Sequence, residues 1–177
     1  MQVTGDELPT IGQAPSPPPS ITAPFLAESM TNFEITPTFR FFCGTAPFGS
    51  VVLRFGDKVV GNAAQTMALN VFAEELSFAV GLEPATPELL SRLESHFHLL
   101  LSQKLLSERH RGVCLLDVGE CFDGYFVFVV RLESILKFIF HSYKDNQVFE
   151  VMVDRDVFRS ELQKFKNWVK DVKNAQP

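Results

Sequence analysis

CFDGYFVFVVRLESILKFIFHSYKDNQVFEVMVDRDVFRSELQKFKNWVKDV, residues 121–172, decides the fold. Aromatic and β-branched residues alternate along its first three segments, as side chains do when they point to opposite faces of a strand. In YFVFVV, Phe126, Phe128 and Val130 take one face and Tyr125, Val127 and Val129 the other. Both faces are apolar, so this is a central strand covered on both sides. Leu136, Phe138 and Phe140 then alternate with Lys137, Ile139 and His141, the more one-sided pattern of an antiparallel neighbour. Beyond the KDNQ turn, Phe149, Val151 and Val153 alternate with Glu150 and Met152.

After Asp154 the period changes. Phe158, Leu162, Phe165, Val169 and Val172 recur at intervals of four and three, which defines a helix with one apolar stripe. Asp154 or Asp156 caps its start, and Lys170 and Lys173 oppose the negative end of its dipole.

Upstream, GVCLLDVG reads as the first strand of this meander, joined to the second by the loop GECFDG. Residues 33–43 (FEITPTFRFFC) and 50–60 (SVVLRFGDKVV) read as an N-terminal hairpin separated by Gly44, Pro47 and Gly49. Pro37 then has to sit on an edge or at a bulge, and Gly56-Asp57 offers a turn that splits the second run. Asn62 is expected to cap a helix through Val80, buried along Leu69, Phe72, Leu76, Ala79 and Val80, with Gly81 as its left-handed stop. Thr86, Pro87 and Glu88 signal a second helix, whose stripe is Leu90, Leu93, Phe97, Leu100, Leu101 and Leu105.

The resulting class is α+β: an antiparallel sheet made of the hairpin and the four-strand meander, a helical pair inserted between them, and a C-terminal helix packed on the sheet. The short meander connections exclude parallel crossovers. Six of the eleven prolines fall in the first 24 residues, so residues 1–31 read as a disordered, polyproline-like leader and 32–174 as one domain. Pro15 and Pro18 have the PxxP spacing of SH3 ligands without the flanking base that orients such peptides.

With 46% hydrophobic and 21% charged residues, the composition is globular. Eighteen Phe against two Tyr and one Trp point to a dry core, because Phe has no polar handle. The net charge of −5 lacks the basic field that a phosphate backbone requires, which argues against nucleic acid as a partner. No apolar run reaches membrane-spanning length, and the start lacks the basic and apolar regions of a secretory signal. Cys43, Cys114 and Cys121 have neither disulfide-framework nor zinc spacing and are expected to be reduced and buried in a cytoplasmic protein.

No motif carries a cofactor or metal. His96 and His98 are two apart on an expected helix and point about 200° apart, unlike an i, i+4 ligand pair. Asp117, Glu120 and Asp123 form an acidic loop without EF-hand spacing, and a loop that is acidic because it is solvated is the plainer account. Cys114 or Cys121 with His110 or His141 and a nearby Asp would make a hydrolase triad on paper, but small buried hydrophobes are the plainer account.

The expected function is a non-enzymatic interaction module of the adaptor, chaperone, immunity/inhibitor or viral accessory kind. It would dock another protein, or a further copy of the chain, through the sheet face or the last helix. Trp168 with Arg155, Arg159 and Lys164 is the expected partner-binding cluster, since an exposed Trp among basic side chains suits an interface. The alternative is a carrier of an apolar small molecule, because the element order is similar to that of helix-grip folds, where a terminal helix lies across a curved sheet.

Overall fold

The computed structural model describes residues 31–87, 90, 112–116, 118–142, 144 and 147–176. Its strands are β1 (Phe33–Cys43), β2 (Ala46–Phe55), β3 (Lys58–Val60), β4 (Met67–Ala68), β5 (Val113–Leu116), β6 (Tyr125–Leu132), β7 (Ile135–Ser142) and β8 (Val148–Asp154). Helix α1 (Leu69–Gly81) follows β4, a 3-10 turn (Glu120–Phe122) lies between β5 and β6, and α2 (Arg155–Asn174) follows β8.

The α+β class holds, and all strand pairs are antiparallel. The single expected sheet is instead two four-stranded sheets: β1-β2-β3 with β4 also on β2, and the meander β5-β6-β7-β8. They face each other across a layer of phenylalanine rings. Phe33 and Phe55 of the first sheet meet Phe138 and Phe140 of the second, and Phe158 of α2 closes the layer, with centroids 5.0 to 6.3 Å apart. Such tilted and offset pairs add to the area they remove from water. Strand alternation alone cannot say whether two hairpins join edge to edge or stack face to face, because both arrangements bury the same residues.

The hairpin forms with strands β1 and β2 joined by Gly44-Thr45, and the second run divides at Gly56-Asp57 as its turn chemistry allows. Pro37 lies opposite Val51 on β1, which pairs with β2 alone among the described residues. Arg40 is an extra residue: Phe39 pairs with Gly49, and Phe41 with Phe48. That bulge bends the strand and resets its alternation.

Three local expectations are corrected. The first helix begins at Leu69, seven residues after Asn62, because Met67 and Ala68 are drawn into β4 against Phe48 and Gly49. Asn62 instead accepts from the Ala64 amide at 2.9 Å. Gly81 is the last helical residue without a positive φ, and α1 stops at Leu82, whose backbone is extended ahead of Pro84. β7 is not one-sided: Ile139 and His141 are buried beside Leu136, Phe138 and Phe140. A second apolar cluster, built on Phe128, Val130 and Ile139, covers that face and receives Ala85 and Leu90.

The expected second helix shows only its start among the described residues, where the Leu90 amide donates to the Thr86 carbonyl at 3.0 Å. Its remaining stripe, with His96, His98 and His110, lies outside them, as does the leader. α2 forms as its period requires, capped by Asp154, whose side chain accepts from the Asp156 and Val157 amides. It buries Phe158, Leu162, Phe165 and Val169. It also runs alongside β1 in the same direction: Phe158 meets Phe33 near one end, and Gln176 donates to the Gly44 carbonyl at the other.

Candidate functional site

One end of the molecule carries aromatic side chains that the core does not use. In a regular strand, residues three apart point to opposite faces. The bulge at Arg40 overrides this and puts Phe39 and Phe42 together on the α2 side, with centroids 4.8 Å apart. Phe41 and Phe48 stack on the other face at 5.5 Å and an interplanar angle of 5°. Phe41 is 50% exposed and Phe39 36%, so the hairpin tip is apolar on both faces. Cys43 is exposed at the same tip, contrary to the expected burial, because beyond the bulge it shares the face of Phe41, turned away from α2. The Arg40 guanidinium folds away to donate to the Ala63 carbonyl at 2.5 Å. No carboxylate occurs between residues 35 and 53.

The free edge of β1 is a poor template for a further strand. The Asn32 carbonyl accepts from the Gly56 amide at 2.8 Å, so even-numbered residues as far as Thr38 turn their backbone groups toward β2. Pro37 therefore turns its nitrogen outward, where the missing N–H removes a donor from the edge without weakening the ladder. With the bulge three residues on, the edge resists strand addition. Contacts at this end are left to side chains.

The expected cluster on α2 does not assemble. At 3.6 residues per turn, Arg159 lies nine residues from Trp168 and so on the opposite side of the helix, about 180° away. Arg159 pairs with Asp156 at 3.0 Å. Arg155 turns inward: its Nε and Nη2 donate to the Val80 carbonyl at 3.2 and 2.8 Å, capping α1 together with Arg131, which donates to the Leu82 carbonyl. Burial and the neighbouring charges of Arg131 and Arg159 lower the Arg155 pKa from its usual value. Lys164 alone shares the Trp168 flank, one turn away, and pairs with Glu161 at 2.5 Å. Trp168 is half-buried and stacks on Phe165 at 6.3 Å.

The constellation for nucleophilic catalysis separates as well. Cys114 and Cys121 belong to the core between the sheets, whereas His141 stacks on Phe126 on the opposite face of the second sheet. Burial raises the Cys121 thiol pKa above its ordinary value, partly offset by a hydrogen bond with the Val51 backbone and by Arg40. A buried protonated thiol is a weak nucleophile. Glu120 and Asp123 are exposed, Asp117 lies outside the described residues, and among those residues no three metal-ligating side chains converge. A cleft of about 370 Å³ opens beside this loop between Leu116, Phe122, Asp123 and Tyr125.

Among the described residues no helix is long and apolar enough to cross a membrane. No protein-family model matches the chain, and no curated protein or solved structure matches it with significance.

The aromatic tip was the feature that sequence reasoning missed. Its signal is present, with four Phe among residues 39–48, but reads as ordinary strand composition. The bulge at Arg40, which turns Phe41 and Cys43 to the face away from α2, emerges only in the strand pairing.

Proposed function

We propose that the chain is a non-enzymatic interaction module, of the adaptor, chaperone or inhibitor kind, that docks another protein through the tip of its β1–β2 hairpin. The observation that carries this reading is the pair of phenylalanine couples, Phe39 tilted against Phe42 and Phe41 stacked on Phe48, each with one exposed ring and one half-buried, on the two faces of one hairpin. Contiguous apolar surface of this kind marks an interaction site. Rings on both faces fit a partner groove that receives the hairpin as a wedge. The blunted edge of β1 favours this mode over β-augmentation.

The Phe33, Phe55, Phe138, Phe140 and Phe158 rings fill the space between the sheets, which favours docking over the carriage of an apolar ligand there. The test is purification of the full chain from its native source with one stoichiometric partner, beside a Phe39→Ser/Phe41→Ser variant. Both positions are exposed, so the variant should fold. Loss of an aromatic anchor costs about 2 kcal/mol or more where it is a hot spot, so losing both should weaken binding on the order of 1,000-fold. An unchanged partner in the variant, or none with the wild type, refutes the reading.

A further inference from the structure

A second surface, on the outer flank of α2, has an internal symmetry. Val157, Glu161, Lys164 and Trp168 recur at intervals of four, three and four, and at 3.6 residues per turn they share one face beside the buried seam of Phe158, Leu162, Phe165 and Val169. Val157 is 44% exposed, although valine at that position is not needed by the core. The side chains of Lys164 and Glu161 are 71% and 17% exposed. Read forward the flank is apolar, acidic, basic, apolar, and read backward it is apolar, basic, acidic, apolar.

That order is what an isologous contact requires, because across a two-fold axis each residue meets the residue at the mirrored position. We infer that α2 pairs antiparallel with α2 of a second copy, with the axis passing midway between Glu161 and Lys164. Val157 then packs on Trp168 of the second copy, Glu161 faces Lys164, and both contacts occur twice. An unrelated partner needs only one half of this pattern, so its completeness selects a second copy.

Asp171 falls near Asp154 of the second copy, whose carboxylate is already held by the Asp156 and Val157 amides. The amide end of that helix offsets the repulsion. From Val157 to Trp168 the seam spans about 17 Å of helix, which makes a small interface. Dimerisation is therefore expected at concentrations on the order of 100 µM. The hairpin tip takes no part, so this contact and the docking proposed above stand or fall separately.

The experiment is sedimentation equilibrium of the full chain over a concentration series reaching several hundred micromolar, with circular dichroism to confirm folding. The wild type should pass from a 19.9 kDa monomer toward twice that mass. Glu161→Lys and Lys164→Glu each place like charges together twice and should weaken the dimer about tenfold. An equimolar mixture of these two variants should recover it as a heterodimer, since their reversed charges are opposite across the interface, a recovery that no intrachain pair can produce. Val157→Glu, at an exposed position, should remain monomeric. A wild type that stays monomeric throughout, a mixture no tighter than its components, or Val157→Glu dimerising like the wild type would overturn the proposal.

Discussion

Gly49 and Gly81 should respond to alanine with opposite signs, for reasons visible in the packing. Gly49 lies in β2 opposite Phe39, where β1 bends into its bulge. A Cβ there would sit 1.9 Å from the Thr38 carbonyl oxygen, 2.9 Å from its carbon and 3.1 Å from Leu69 Cδ1. Carbon–oxygen contacts rarely close below about 3.3 Å, so β1 would have to move by more than about 1 Å. Thr38 pairs with Ser50 in the adjacent rung, and that movement breaks ladder hydrogen bonds. Overpacking costs about 1–3 kcal/mol, and each lost bond about 1 kcal/mol, so Gly49→Ala should cost about 3–4 kcal/mol. For a chain of this size that lowers Tm by on the order of 10 °C.

Gly81 is helical, and a Cβ there meets nothing within 4 Å. Gly81→Ala should therefore raise stability by about 0.5–1 kcal/mol. Had Gly81 been a left-handed stop, the same change would cost about 1–2 kcal/mol. Urea denaturation followed by Trp168 fluorescence, with thermal melts by circular dichroism, measures both variants. A Gly49→Ala effect within about 0.5 kcal/mol, or a destabilising Gly81→Ala, would refute this account of the hairpin or of the helix end.

Arg155→Met should destabilise the fold by about 1–2 kcal/mol, because the half-buried Val80 carbonyl loses a charged donor; an unchanged urea midpoint would show that Arg155 is not a structural cap. The native chain should react with Ellman's reagent at Cys43 alone, and at all three cysteines once unfolded; rapid native labelling of Cys121 would contradict its burial. Because the Cys121 pKa is raised from 9.0 in the fold, the unfolded chain loses this proton first as pH rises. Its contribution to stability is thus complete below about pH 9 and declines above it, so the stability gap between wild type and Cys121→Ala should narrow in that range.

What the sequence determined by itself was local periodicity. The alternation of Tyr125 to Val130 required a strand covered on both faces, and the four-and-three spacing after Asp154 required α2, capped where its side chain finds two amides. These signals are robust because each depends on a residue and its near neighbours along one element. Where competition came from distant segments, the reading failed: Asn62 lost its helix because Met67 and Ala68 found partners in β2, and Gly81 was not needed as a stop because Arg131 and Arg155 supply the helix end from elsewhere. The candidate site was still less legible. Trp168 and Lys164 share a flank by helical arithmetic alone, but Arg155 is removed from it by a carbonyl in α1. Whether the Phe39 to Phe48 rings are core or surface depends on a bulge in β1 and on which face of the hairpin another element covers. Tertiary structure alone decided that, because hydrophobicity states what a side chain gains by burial and says nothing about whether another element arrives to cover it.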